Sequence, residues 1–489
     1  MKRMARLEWY LMLLIFLLGS FYLLLFLSNA DKEQKMYDSL NYTGQKGLVH
    51  VRGGEIFDEK GKRLHITGMN LGSWLMFEGY MWGMGNQGGQ DYSVTLSDME
   101  FRDRLDLALS DSPLDRNAFL QLYRDNFITP KDFQYLQELG VNLVRIPFSA
   151  KDFSEFFDYG RVRNSNFEYL DRSLVFCEQY KIYCVLDLHV PFKPQNTFIH
   201  SDSNQTDATF WEDKAAQEHT ILLWKILAQR YSGNPYLAGF DLLNEPQAPN
   251  SKVLKDWYIK SVAELRALGF QHLIFLQPNN VSLDIESVLV EDEGIVYAPH
   301  YYGYGTKARE ETELLFQQKE HYDVPVVIGE VGNWANDWWA KHTDIFVLYR
   351  FLNSDIPVIY WPYKDMIQDN KKSFGLVSGD VNATFDHFSY ALQNGVVLPY
   401  DFDWNTLAQS FKTKFPTDRP LVENIIKHLQ PEAPVRVYET QSQVREVVEG
   451  KDTDLFGYHP GYTSYLWDLS QEFSQCIGKS VGECFGMDQ

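Results

Sequence analysis

Two apolar runs in this chain end on a glutamate. Glu245 closes GFDLLNE, which Pro246 stops at once, and Glu330 closes VPVVIGE. Proline cannot donate to a sheet ladder, so the first run should be a strand that ends at Glu245. A buried carboxylate is costly without partners. If the two face each other across one bond, the chemistry they fit is glycosidic cleavage: one protonates the leaving oxygen while the other attacks or activates water. Further polar or flat groups stand at the ends of similar runs. They are Arg145 in VNLVRIPF, His189 in KIYCVLDLH, Asn244 beside Glu245, His300 and Tyr302 in GIVYAPHYY, and Trp361 in IPVIYWP. Singly, Arg145 reads as an ion-pair partner, His189 as a satisfied core histidine and Trp361 as core filling. Together they call for a fold in which such run ends converge.

The apolar runs number eight: 63–71, 141–148, 181–189, 237–245, 271–278, 294–302, 324–330 and 356–362. Helical patterns lie between them, as in Phe167, Leu170, Leu174 and Cys177, or Trp224, Leu227, Ala228 and Tyr231. Continuous apolar strands separated by helices describe a parallel sheet covered on both faces. Eight such units predict an α/β fold, a (β/α)8 TIM barrel, in preference to an open doubly wound sheet. In a barrel the C-terminal strand ends surround a single pocket, which would gather the polar residues above. The longest insertion, 72–140, follows the first strand and carries Trp74, Phe77, Tyr80 and Trp82 to that face. GMGNQG, 83–88, matches G-x-G-x-x-G but does not join a strand to a helix in a short βαβ unit, so no dinucleotide site is expected there. No C-x-x-C or H-E-x-x-H spacing occurs; neither a metal nor a cofactor is expected.

The neighbours suggest a retaining mechanism. Arg145 and a hydrogen bond from Tyr302 would hold Glu330 ionised as nucleophile. Glu245, at the end of an apolar strand and near a second carboxylate, should have its pKa raised and serve as proton donor. Asn244 is placed for the sugar 2-hydroxyl, and Trp361 offers a flat face to the ring.

LLNEP, APHYY, VVIGEVG and VRIPF together resemble the motifs of glycoside hydrolase family 5, over roughly residues 48–430. The resemblance implies a retaining barrel with Glu245 as acid/base and Glu330 as nucleophile. It places Arg145, His189, Asn244, His300, Tyr302 and Trp361 among the substrate-binding residues. GMNLGSWLMFEG and DNFITPKDFQYLQELGVNLVRIPF are most similar to the glucan exo-1,3-β-glucosidases, which implies that Glu78 helps hold the terminal sugar. The 72–140 insertion, carrying Glu78 near the barrel rim with Trp74 and Tyr80 around it, would then close the pocket into a blind one. Gly72-Ser73-Trp74 stands where that group usually has Gly-Gly-Trp, and Gly79-Tyr80 where Pro-Trp often follows the glutamate.

The net charge of −21 and pI near 5 exclude nucleic acid and adsorption to anionic lipid. The 12 Trp, 29 Tyr and 33 Phe suit a large core and stacking on sugars. The N-terminus differs in character. Lys2, Arg3 and Arg6 precede an uncharged stretch, 9–27, that would span about 28 Å as a helix. The basic residues should stay cytoplasmic. The expected organisation is a cytoplasmic N-terminus (1–8), a transmembrane signal-anchor (9–27), a stalk (28–47), the barrel (48–430) and a C-terminal extension packed on it (431–489). SNA at 28–30 keeps open a cleaved signal peptide and a secreted protein. Either way the barrel lies outside the cell or in the secretory lumen. Sequons at Asn41, Asn204, Asn280 and Asn382 are candidate glycosylation sites. Cys476 and Cys484 could close a disulfide loop, while Cys177 and Cys184 read as buried free thiols. The expected protein is a monomeric, membrane-tethered β-glycosidase of β-glucan or a related glycan. The alternatives are an endoglycoceramidase-like glycolipid hydrolase, with Phe77, Tyr80 and Trp82 forming an apolar groove, and a catalytically silent glycan-binding barrel.

Overall fold

Each of the eight runs contains a strand, and the strands are almost wholly buried, as continuous apolar runs require. The computed structural model describes residues 47–84, 95–154, 164–203, 207–303, 307–332, 351, 355–367 and 375–415. After a hairpin of β1 (His50–Arg52) and β2 (Glu55–Phe57) come β3 (Thr67–Asn70), β4 (Leu143–Ser149), β5 (Tyr183–Val190), β6 (Leu237–Asp241) and β7 (Leu273–Leu276). They are followed by β8 (Ile295–Tyr297), β9 (His300–Tyr301), β10 (Ile328–Val331) and β11 (Val358–Tyr360). The main sheet is parallel and runs β8-β7-β6-β5-β4-β3-β11-β10-β9. Its two outermost strands belong to one chain segment. Residues 295–297 pair with β7 and 300–301 with β10, so the sheet returns on itself in a (β/α)8 barrel-like architecture.

The helices are α1 (Asp98–Ala108), α2 (Arg116–Phe127), α3 (Pro130–Glu138), α4 (Glu168–Tyr180), α5 (Lys214–Tyr231), α6 (Ser251–Ala267), α7 (Lys307–Tyr322), α8 (Ala383–Asn394) and α9 (Trp404–Ser410). Local chemistry fixes several starts. Ser97 and Glu100 form a capping box on α1, and Asp115 caps α2. The apolar stripes anticipated for α4 and α5 are buried: Leu170, Leu174 and Cys177 on one, Trp224, Leu227, Ala228 and Tyr231 on the other.

The N-terminal hairpin was not foreseen. Gly53 and Gly54 both have positive φ, which a two-residue hairpin turn demands. Val49 and Ile56 pack with inward residues of the strands, including Leu143, Val185, Ala238, Phe275, Val296, Val327 and Ile359. The hairpin therefore stoppers the barrel at the end away from the C-terminal strand tips.

The insertion after β3 is anchored by aromatic packing. Trp82 has Phe77, Phe101, Tyr123, Phe385 and Phe411 within 5.1–5.7 Å, centroid to centroid. Phe77 and Trp82 are spent on this core, so the apolar groove expected of them and Tyr80 does not form. Trp74 is likewise buried, donating Nε1–H to the Arg124 carbonyl. Gly83 ends a short helical turn, Gly79–Trp82, and residues 85–88 of GMGNQG lie outside the described residues.

Two further expectations are corrected. The fourth strand ends at Asp241, four residues before Glu245. Cys177 and Cys184 are not free thiols but a disulfide with Cα atoms 6.3 Å apart. Lys181, in the left-handed conformation, turns the chain sharply after α4, so β5 lies back over the helix end and brings the two sulfurs together. Asn280 is exposed on a left-handed turn, and Asn382 caps α8 through its side-chain oxygen. Residues 9–27, Asn41, Asn204, Cys476, Cys484 and the extension 431–489 lie outside the described residues. Among the described residues no helix is long and apolar enough to cross a membrane.

Candidate active site

The strand ends bring the anticipated residues together around Arg145. Its Nε donates to Asp241 at 2.9 Å, Nη1 to Asn70 at 3.0 Å and to Glu330 Oε1 at 2.6 Å, and Nη2 to Asn244 at 2.9 Å. Asp187 Oδ1 lies 2.9 Å from Nη2. Burial alone would lower the guanidinium pKa, but Asp187, Asp241 and Glu330 together hold it above its ordinary value. Arg145 is thus a fixed cation serving three carboxylates, and the bland reading of it as an ion-pair partner is part of the site itself.

Glu330, on β10, receives the Tyr302 hydroxyl on Oε2 at 2.6 Å as well as Arg145 on Oε1. Burial, then the nearby Glu330 and Glu245 charges, push the Tyr302 phenol well up, so it stays a donor. Glu245 sits just beyond β6 with φ +43°, a backbone state costly for a side chain larger than glycine. Its N–H donates to Gln277 Oε1 at 2.8 Å and its carbonyl accepts from Asn196 Nδ2 at 2.9 Å, which hold the strained turn. Its Oε1 lies 2.8 Å from His300 Nδ1, and its Oε2 lies 3.2 Å from His200 Nε2. His300 Nδ1 is also 3.4 Å from Glu330 Oε2. One histidine therefore bridges the two carboxylates.

One oxygen from each glutamate and the His300 nitrogen all lie within 4.8 Å of one another. Such a spacing could hold a cation. Here the imidazole already joins the carboxylates, which lie close enough to flank a single bond.

The expected raised pKa of Glu245 is overturned. Burial pushes the carboxyl up, but hydrogen bonds and charge from His200 and His300 more than offset it and hold the group well below the usual glutamate value. The neighbours that decide this arrive from other elements, and the apolar run discloses only the burial.

A second cluster forms one wall. Glu78 is buried; Tyr80 donates to its Oε2 at 2.9 Å, and Trp361 Nε1 donates to the Tyr80 oxygen at 3.0 Å. His189 stacks on Trp361 with ring planes 9° apart and lies 2.7 Å from Asp187 and 3.6 Å from Glu78. Burial lowers the His189 pKa, but Asp187 and then Glu78 outweigh it and bring the group to about 10. Asn244 accepts from Arg145 and places Nδ2 3.2 Å from His189 Nε2. All nine anticipated site residues thus fall in one connected group.

Sequence reasoning missed Asp187, Asp241, Asn70, Gln277 and His200. A signal existed for the two aspartates: charged residues inside otherwise apolar strands, Asp187 two places before His189 and Asp241 four before Glu245. Burial, opposed by Arg145 and reinforced by Asp187, pushes the Asp241 carboxyl up to about 6. His200 lies on a single 3-10 turn, Ile199–Ser201, too short for periodicity to carry information.

A family model described as Cellulase (glycosyl hydrolase family 5) matches residues 111–366. A β-xylosidase of Phanerodontia chrysosporium is 32% identical over 257 residues, which are 52% of this chain and 52% of the relative. A glucan 1,3-β-glucosidase of Candida oleophila is 25% identical over 294 residues, 57% of this chain and 64% of its own. The solved structure of an endogalactoceramidase overlays 71% of this chain and 84% of that one, at 15% identity and a TM-score of 0.48. The chain spans about half the length of the first curated relatives it matches.

Proposed function

The chain belongs to glycosyl hydrolase family 5, and we propose that it is a membrane-tethered retaining β-glycosidase that takes single sugars from the ends of an exported β-glucan. The observation that carries the chemistry is the asymmetry between two close carboxylates. Glu330 is gripped by a buried arginine and a tyrosine hydroxyl, whereas among the described residues the Glu245 carboxyl meets two histidines. A carboxylate held by fixed donors is oriented for attack. One whose partners are imidazoles can exchange a proton.

In the proposed cycle a Glu330 oxygen bonds to the anomeric carbon while Glu245 gives its proton to the departing glycosidic oxygen. Water then attacks the same carbon, Glu245 takes the water proton, and the bond to Glu330 breaks. Asn244, fixed by Arg145, offers its amide to the sugar 2-hydroxyl. Trp361, locked by Tyr80 and His189, offers a ring face.

Relatives described as glucan 1,3-β-glucosidases support a β-glucan substrate. The buried Glu78 with Tyr80 and Trp361 behind it supports a blind pocket. The apolar stretch 9–27 supports tethering, and the Cys177–Cys184 disulfide supports an oxidising compartment outside the cytosol. Glycolipid hydrolysis loses its expected groove, since Phe77 and Trp82 are in the core.

The test is a pair of variants on aryl β-glucosides. Glu330→Gln should abolish turnover on every substrate. Glu245→Ala should still form the glycosyl-enzyme from a dinitrophenyl glucoside, which needs little acid help, yet fail on alkyl glucosides. An identical response of both variants to leaving-group pKa would overturn the assignment.

A further inference from the structure

Glu245 has two imidazole partners, and they differ in what lies behind them. The His300 side chain is 1% exposed, and its Nδ1 is enclosed between Glu245 and Glu330. Its Nε2 is buried with no hydrogen-bond partner among the described residues. Among the described residues no group continues that route. The His200 side chain is 19% exposed; Nε2 meets Glu245 Oε2 at 3.2 Å and Nδ1 lies 4.0 Å from Glu78 Oε1. His200 is the partner of Glu245 that also touches solvent.

Its loop is built to hold it there. Asn196 donates to the Glu245 carbonyl at 2.9 Å, and Gln195 to the Asn244 carbonyl at 2.7 Å. Asn196 Oδ1 accepts from the Phe198 N–H, and the Ser201 hydroxyl closes the turn on the Asn196 and Phe198 carbonyls. Asp202, next but one, accepts from the Met99 N–H at 2.7 Å and so ties the loop to α1. The Phe198 ring packs 5.3 Å from the imidazole. The charged and titratable groups around His200 are Glu245, Glu78 and His189 across the pocket, with Asp202 and its Lys151 partner on the near side. Those around Glu245 are His300, Glu330 and Tyr302.

We propose that His200 is a positioning and proton-storing residue: it shares one proton with Glu245 and exchanges it with solvent. This rests on Glu245 being the acid/base. In the proposed resting state the shared proton lies between His200 Nε2 and Glu245 Oε2, 3.2 Å apart. As the glycosidic oxygen reaches Glu245, the proton moves from Nε2 to Oε2 and on to the departing oxygen. In the second half, Glu245 takes a proton from the attacking water and returns it to Nε2. One water is consumed per bond cleaved and the enzyme ends as it began. Imidazole suits this use because it is the side chain whose charge normally changes between about pH 5 and 8.

The experiment compares pH profiles of kcat/KM for the wild type, His200→Asn and His200→Gln on two substrates: laminaribiose, with a poor leaving group, and a dinitrophenyl glucoside, which needs no acid. In the variants the solvent-facing imidazole is gone, so the alkaline limb for laminaribiose should move down by roughly one unit or more, the order of the gap between imidazole and carboxyl. The dinitrophenyl limb should stay put. A uniform rate loss with both limbs unmoved would overturn the proposal and leave the glycosidase assignment standing. Inactivity of the wild type on every glycoside would remove both. As a check independent of turnover, the His200 ring-proton resonances should differ between wild type and Glu245→Gln at one fixed pH; unmoved resonances would also overturn the proposal.

Discussion

Removing the Glu78 carboxylate tests where the pocket ends. Its Oε2 accepts from Tyr80 at 2.9 Å, and its Oε1 lies 3.6 Å from His189 and 4.0 Å from His200, which itself touches Glu245. A sugar hydroxyl reaching this carboxylate would make a charge-assisted hydrogen bond worth about 1.5–3 kcal/mol. Two such bonds would total about 3–6 kcal/mol, but Tyr80 and His189 compete for the same oxygens, so about 2–4 kcal/mol should reach the transition state. At 1.4 kcal/mol per factor of ten, Glu78→Ala should lower kcat/KM on laminari-oligosaccharides by roughly 30- to 700-fold. Glu78→Gln keeps an acceptor and loses the charge, and should fall between the variant and the wild type. The assay is initial-rate kinetics with chromatography of early products, on protein whose thermal unfolding matches wild type. The wild type should release glucose alone at low conversion. A ladder of longer oligomers, or a Glu78→Ala loss under about threefold, would refute the blind pocket.

Asp241→Asn should flatten the pH dependence of stability. An acid raised to about 6 in the fold, against an ordinary 3.8, adds stability below 3.8 that is lost as pH rises through 6. Denaturation between pH 4 and 7 should therefore show wild type losing on the order of 2–3 kcal/mol relative to the variant, and parallel curves would refute this. Trp82→Ala, by emptying the aromatic anchor of the insertion, should cost about 3–5 kcal/mol in chemical denaturation and release the segment bearing Glu78; a loss under about 1 kcal/mol would show that the cluster does not hold it.

The sequence by itself made the barrel-like parallel sheet legible and singled out the two glutamates. Strand and helix periodicity is local information: an apolar run or an i, i+3, i+7 stripe shows which face is buried. The barrel then sends strand ends to one pocket, which is why Glu245, Glu330, Arg145, His189, Asn244, His300, Tyr302 and Trp361 could be read together. The tertiary structure alone decided what surrounds them. The Glu245 carboxyl is pulled down because His200 and His300, 45 and 55 residues away in the chain, fold against it. Phe77 and Trp82 looked available for substrate until α1, α8 and Phe411 closed over them. Cys177 and Cys184 became a disulfide because a left-handed turn at Lys181 folds β5 back on α4. Burial is written in the periodicity of each segment, whereas pairing depends on which distant segments meet, and that is settled only when the chain closes.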